Sequence, residues 1–317
     1  MLRHVDLHRD LRYIPAMHPI IFTFPDWLPL LGGAHIYSYG LMLGIAFLTG
    51  WYLGMHLSLK EGLRYKFVNN AYFVAIICSL IGARIAYLIS NPSSWRFSTG
   101  FVGALFSSRC EGLVAYGGYI GGVLGAAVYA RMKRADLWGL FDSTAPSLVL
   151  GLGFTRIGCF LAGCCHGKPT DLPWAIVFPP GSQGARNFPG IDGYSQALHP
   201  TQLYESLLGF ALVPLALWLH RRRKFTGQTF LVMVMCYAVG RFLLELLRGD
   251  DDRGGIGQHA APLISTSQLI GLMLLPVALG LYFYRMKVGQ PPPQPRSREE
   301  IEKQLLEEGV KKSRKKK

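Results

Sequence analysis

The chain has 317 residues, of which 50% are hydrophobic and only 16% charged, against roughly a quarter charged in an ordinary soluble domain. That composition excludes intrinsic disorder, and 6 cysteines in this length exclude a disulfide scaffold. The net charge of +14 would suit nucleic acid if the basic residues gathered on one soluble face, but they stand between long apolar runs, so no nucleic-acid partner is expected. An all-α, polytopic membrane protein remains.

About seven stretches reach the length of about 20 residues that a helix needs to cross the hydrocarbon core. In chain order they lie near 36–59, 67–90, 113–130, 137–163, 202–220, 228–248 and 266–284. None shows the strict alternation of a membrane barrel strand. Gly117, Gly118, Gly121, Gly122 and Gly125 in the third stretch suit close helix packing, since small residues let membrane helices approach.

Of the 33 basic residues, 21 follow the first, third, fifth and seventh spans, and 8 lie on the opposite side with the N-terminus. The positive-inside rule therefore predicts a periplasmic N-terminus and a cytoplasmic C-terminus. Residues 1–16 lack the continuous apolar core of a cleavable signal and read as a short extension. The membrane domain is placed at 17–288, with an external loop at 164–201. Residues 289–317 read as a Pro-rich linker, a short charged helix with Ser297 and Glu300 as a capping box, and a basic cytoplasmic terminus at Lys311–Lys317.

Four arginines are left inside spans: Arg84, Arg156, Arg241 and Arg248. Charge within a bilayer is costly, so such residues face the bundle interior and have partners. Arg84, Arg156 and Arg241 each sit about seven residues before the outer end of their span, which is roughly 10 Å below the outer surface at 1.5 Å per residue. Three guanidiniums at one depth suit an anionic lipid headgroup, because the planar guanidinium fork matches phosphate oxygens. A competing reading is structural. Glu245 stands four residues after Arg241 and three before Arg248, so all three share one helix face and can neutralise one another.

Four segments then resemble the bacterial prolipoprotein diacylglyceryl transferase family. They are Tyr37-Ser-Tyr-Gly-Leu-Met, Glu111-Gly-Leu-Val-Ala-Tyr-Gly-Gly-Tyr-Ile-Gly, Arg156-Ile-Gly-Cys-Phe-Leu-Ala-Gly-Cys-Cys-His-Gly, and the pair His199-Pro-Thr-Gln-Leu-Tyr-Glu with Gly240-Arg-Phe-Leu-Leu-Glu-Leu-Leu-Arg. The resemblance covers about residues 17–288. It implies a multi-pass enzyme of the bacterial inner membrane. Such an enzyme moves the diacylglyceryl group of phosphatidylglycerol onto the lipobox cysteine of a prolipoprotein signal peptide, forms a thioether and releases glycerol phosphate. No cofactor is implied, and the partners are phosphatidylglycerol, the prolipoprotein and the surrounding lipids. Carried over on matching positions are Tyr39, Arg84, Arg156, Gly167, Arg241, Glu245 and Arg248. Arg156 and Arg241 are implied to take up the phosphate charge as the carbon–oxygen bond breaks, and Tyr39 to bind the headgroup, although a belt tyrosine at the interface reads the same way.

The chain departs from the family's pattern at two places. Tyr116, before Gly117 and Gly118 of the lipid site, stands where many members have a histidine that is a favoured general base. A phenol is a poor base near neutral pH unless its surroundings favour the phenolate. Tyr116 is therefore either the base or a group that positions the lipid, with His199 as rival base and a helix-start role as the competing reading of His199-Pro200. Cys159 stands where asparagine is frequent, one helical turn from Arg156 and so at the lipid site, while Cys164-Cys165-His166 replace a segment where an acid is common. Structural zinc prefers two separated ligand pairs, so no metal site is expected here. A bridge from Cys110 to Cys164 or Cys165 is an open alternative to plain packing.

The loop is long for a connector and rich in Pro and Gly, which marks either a functional element that meets the precursor or a surface loop with a short hairpin. Two alternatives to the enzyme stay open: a paralogue with altered activity, and a membrane anion transporter, which should spread its charges through both membrane halves.

Overall fold

The computed structural model describes residues 19–27, 33–92, 105, 114–249 and 264–310. Residues 1–16, Cys110 and Lys311–Lys317 lie outside the described residues, and with them the proposed bridge to Cys110. In chain order the elements are strands β1 (Ile20–Thr23) and β2 (His35–Tyr37), helices α1 (Ser38–Lys60), α2 (Tyr65–Ser90), α3 (Ala115–Met132) and α4 (Leu137–Ala162), then β3 (Ile176–Val177), the short α5 (Gln183–Asn187) and β4 (Ala197–Leu198), and finally α6 (Thr201–Arg222), α7 (Gln228–Glu245), α8 (Thr266–Val288) and α9 (Arg298–Glu307). Every stretch read from hydropathy is a helix, with ends within a few residues of those expected. Six of them are long and apolar enough, among the described residues, to cross a membrane. The third, α3, is an 18-residue helix in which Gly and Tyr dilute the aliphatic residues. Leu48, Phe73 and Leu80 stay largely exposed along these helices, as apolar residues facing acyl chains do.

The chain forms two compact units, one of residues 1–53 and 145–291, the other of 54–144 and 292–317, so α1 and α4 contribute to both. The second unit is built on α2 and α3, which meet backbone to backbone. A Cβ added at Gly82 would strike the Gly117 carbonyl, and one at Gly117 the Gly82 carbonyl and Ala86. At Gly125 it would lie 2.6 Å from Cys78 Sγ, and at Gly118 3.0 Å from Ser79 Oγ. Phe67 and Tyr129 stack across the same pair, with centroids 5.7 Å apart. Gly117→Val is expected to cost on the order of 1–3 kcal/mol by overpacking, read as a lower unfolding temperature in detergent. Gly122→Ala, whose new methyl meets its nearest atom at 3.4 Å, is expected to be tolerated.

The charged helix α9 also belongs to this unit. Ser297 and Glu300 form the anticipated capping box. Ile301 and Leu305 pack on the core of Met55, Leu59, Val68, Ala71 and Leu140. Glu308 accepts hydrogen bonds from the backbone N–H groups of Tyr65 (3.2 Å) and Lys66 (2.9 Å) at the start of α2. These bonds place a carboxylate on the positive end of that helix and outweigh partial burial, so the Glu308 pKa falls below the usual carboxylate value.

In the first unit α4, α6 and α7 share a core of Ala145, Val149, Leu212, Ala216 and Met233. Pro146, Pro214 and Pro276 lie inside α4, α6 and α8, positions that membrane helices tolerate when neighbours satisfy the freed carbonyls. The segment between α4 and α6 has its own small core. β3 pairs antiparallel with β4, and Phe178, Ile176 and Leu198 pack with Phe160, Phe188 and Leu203. The segment is therefore a folded element containing the hairpin.

Candidate active site

Two glycines set the site by bringing α4 and α6 together. A Cβ on Gly209 would lie 2.8 Å from the Gly153 nitrogen and 2.9 Å from the Val149 carbonyl oxygen. Ser206 Oγ donates to the Gly153 carbonyl at 2.9 Å. One residue earlier on α6, Glu205 is carried against the next turn of α4, and its Oε2 lies 3.0 Å from Arg156 Nε. Its Oε1 accepts from the Tyr237 hydroxyl at 3.2 Å and stands 3.9 Å from Arg241 Nε. Arg241 Nη1 reaches Glu245 Oε2 at 2.6 Å, and Arg248 Nε stands 3.9 Å from the same oxygen. The order Arg156, Glu205, Arg241, Glu245, Arg248 thus alternates in sign across α4, α6, α7 and the turn beyond it. Ser267 of α8 accepts from Arg241 Nη2 at 3.3 Å.

These five side chains carry three formal positive and two negative charges. Both carboxylates are almost fully buried, whereas the Arg156 side chain keeps 18% of its surface exposed, against 10% for Arg241 and 9% for Arg248. The contacts are close but imperfectly aligned: Arg156 Nε, Arg241 Nη1 and both Glu245 oxygens make no well-oriented hydrogen bond among the described residues. Burying charge without full hydrogen bonding is costly. It leaves donor capacity on Arg156 and Arg241 for an incoming anion.

The sequence reading of Arg241, Glu245 and Arg248 as a single helical face needs correction. α7 ends at Glu245, and Arg248 pairs with Gly167 in a β-bridge. Leu246 N, Leu247 N and Arg248 N donate to the carbonyls three residues earlier, so the chain tightens into a turn, and Lys168 N then donates to the Leu247 carbonyl and Gly249 N to that of His166. Gly167 is held where three strands of chain converge. A Cβ there would lie 2.5 Å from His199 Cβ and 2.8 Å from the Leu247 carbonyl oxygen, which gives the residue a steric reason to be glycine.

Tyr39, at the head of α1, packs on Gly158: a Cβ there would lie 3.3 Å from the Tyr39 Cα. Its phenol lies within electrostatic reach of Arg156 and Cys159. His199 donates its backbone N–H to the Lys168 carbonyl and accepts from Gly167 N. Its Nδ1 lies 3.4 Å from the Tyr204 hydroxyl, and that hydroxyl accepts a hydrogen bond from Trp174 Nε1 at 2.7 Å. Partial burial lowers the His199 pKa from its usual value. His166 is fully buried, bonded to Asn187 and wedged against Phe178 and Phe188, and so holds the loop's core.

Arg84, Tyr116, Gly117 and Gly118 belong to the other unit. The Arg84 guanidinium lies over the Tyr87 ring, 5.5 Å from its centroid. Val114 N donates to the Ala83 carbonyl at 3.1 Å, which ties the start of α3, and the half-buried Tyr116, to the turn that carries Arg84.

Sequence reasoning passed over Glu205 as a site residue. It stood in the stretch expected at 202–220 and was subject to the same rule as the arginines, that an ionisable group within a span marks function.

A mostly helical membrane protein with a buried chain of arginines and carboxylates is the class defined by these observations. Residues 25–284 match the family described as prolipoprotein diacylglyceryl transferase. Similar proteins include the phosphatidylglycerol--prolipoprotein diacylglyceryl transferase of Clostridium tetani, 34% identical over 85% of this chain and 98% of the relative. The enzyme of that name from Bordetella avium is 31% identical over 80% of this chain and 96% of its own length. The chain belongs to the prolipoprotein diacylglyceryl transferase family and is a transferase, as its four motifs implied.

Proposed function

We propose that the protein transfers the diacylglyceryl group of phosphatidylglycerol to the lipobox cysteine thiol of a prolipoprotein, in the inner membrane, with the N-terminus periplasmic and the C-terminus cytoplasmic. The observation that carries this reading is the alternating chain of charges ending at the most open guanidinium, Arg156. An incoming phosphodiester meets guanidinium donors that Glu205 and Glu245 leave without a well-oriented hydrogen bond. Arg156 and Arg241 grip the phosphate while Glu205 and Glu245 fix the guanidinium planes. The thiol sulfur attacks the diacylglycerol carbon as that carbon's bond to the phosphate oxygen breaks. The bonding pair leaves with glycerol phosphate, whose growing charge the two arginines stabilise. Tyr39, packed on Gly158 beside Arg156, completes the headgroup contacts.

The thiol proton goes to His199. A histidine with a lowered pKa is neutral at neutral pH and able to accept a proton, and among the described residues only Nδ1 of its ring makes a hydrogen bond. A base works in its deprotonated form, so kcat/KM should fall as pH drops through a pKa below the ordinary histidine value of about 6.5. His199→Gln is expected to lose activity and that acid limb. A mutant profile identical to the parent's, together with an inactive Tyr116→Phe, would move the role to Tyr116. The reaction itself is tested by incubating the purified protein with labelled phosphatidylglycerol and a lipobox peptide. Thioether product supports the assignment, and its absence with a folded protein refutes it.

A further inference from the structure

The role of Cys159, Cys164 and Cys165 is not accounted for by the transfer reaction. Their spacing argued against a closed four-ligand zinc site, but the fold assembles something different. The three Sγ atoms lie within 4.8 Å of one another. Adjacent residues in extended chain point their side chains apart, and this pair converges because Cys165 adopts a left-handed backbone, φ 61°, which a residue with a Cβ rarely does without compensation. The turn is pinned from three directions. Gln202 Nε2 donates to the Cys164 carbonyl at 2.7 Å, Thr201 Oγ1 to the Cys165 carbonyl at 2.9 Å, and Cys165 N to Gln183 Oε1 at 3.3 Å. The third thiol comes from the last turn of α4, where Cys159 is buried.

We propose that Cys159, Cys164 and Cys165 form a three-thiolate site for a soft, thiophilic metal ion, placed so that its occupation disables Arg156. An ion about 2.3 Å from each sulfur holds three thiolates roughly 4 Å apart, a spacing compatible with three sulfurs that already lie within 4.8 Å of one another. Thiolate donors select soft ions of the zinc or copper(I) kind over hard ones. A divalent ion binding three thiols releases three protons and leaves a complex of net charge −1, with no change of oxidation state. Cationic neighbours favour such a complex, and Arg156 Nη1 already lies 3.9 Å from Cys159 Sγ. The bound complex therefore gives this guanidinium a resident anion in competition with a lipid phosphate. The inhibitory consequence, but not the binding, rests on the phosphate role proposed for Arg156.

The experiment titrates the full-length protein, purified in detergent with a phosphine reductant, with Cd2+ alone. Bound metal is counted after gel filtration, and thiolate charge-transfer absorption is followed. One Cd2+ per chain is expected. The affinity should fall in Cys165→Ser and Cys159→Ser by at least the ~10–100-fold typical of losing even an outer-shell partner, and persist in Cys236→Ser. A second readout needs no variant: in the parent protein Cd2+ should shield Cys159, Cys164 and Cys165 from alkylation, mapped by mass spectrometry. Lack of stoichiometric binding, or alkylation of those three cysteines at an undiminished rate, overturns the site. Cd2+ should also suppress thioether formation in the parent protein. Stoichiometric binding with undiminished turnover would overturn the coupling to Arg156. Because binding is read without lipid or peptide, it stands or falls apart from the reaction proposed above.

Discussion

Arg156→Ala should lower lipid transfer by about 10²–10³-fold, the loss that follows removal of one donor aimed at developing charge. Arg156 combines the largest exposure in the charge chain, 18%, with a 3.0 Å contact to a buried carboxylate, so it is both held in place and reachable. Arg156→Lys keeps the charge but not the fork of donors, and should recover only a minor part of the rate. The measurement is thioether formation per mole of folded protein. Because the position is partly exposed, the alanine variant should still fold. A variant that folds, inserts and turns over at the parent rate would remove Arg156 from the reaction.

Glu205→Ala is expected to have the largest effect on stability. Glu205 lies between Arg156 and Arg241, accepts from Tyr237 and is almost completely buried. Deleting it leaves two guanidiniums facing each other across a cavity, and removing one partner of a buried ion pair typically costs about 3–5 kcal/mol. Thermal unfolding in detergent should show a large drop. Glu205→Gln keeps the side-chain volume and an acceptor for Tyr237, so it should lose less stability. It should nevertheless transfer lipid more slowly, because Arg156 is no longer oriented by charge. Equal stability of parent and Glu205→Ala would mean that the carboxylate contributes nothing to the packing of α4, α6 and α7.

The helices were readable in the chain because each is a long apolar run, and a bilayer demands that all backbone groups be satisfied within the segment. Pairs within one helix were equally readable: Arg241 and Glu245 are four residues apart and meet at 2.6 Å. What the chain did not disclose were contacts between helices. Arg156 has no acid near it in sequence, and its partner lies 49 positions away on α6, at a distance fixed by the meeting of Gly153 and Gly209. The end of α7 was overrun for a related reason. Leu246 and Leu247 continue the apolar pattern, but the backbone beyond Glu245 hydrogen-bonds to the segment around Gly167. Likewise the cysteines gave only their spacing, and the left-handed turn at Cys165 that gathers them leaves no mark in residue type.

An experimental structure with phosphatidylglycerol bound tests the central claim most directly. The predicted result is a lipid phosphate with oxygens about 2.7–2.9 Å from the guanidinium nitrogens of Arg156 and Arg241, as charge-assisted bonds require, with Glu205 still between the two side chains. A lipid held elsewhere, with both arginines bound only to their carboxylates, would contradict it.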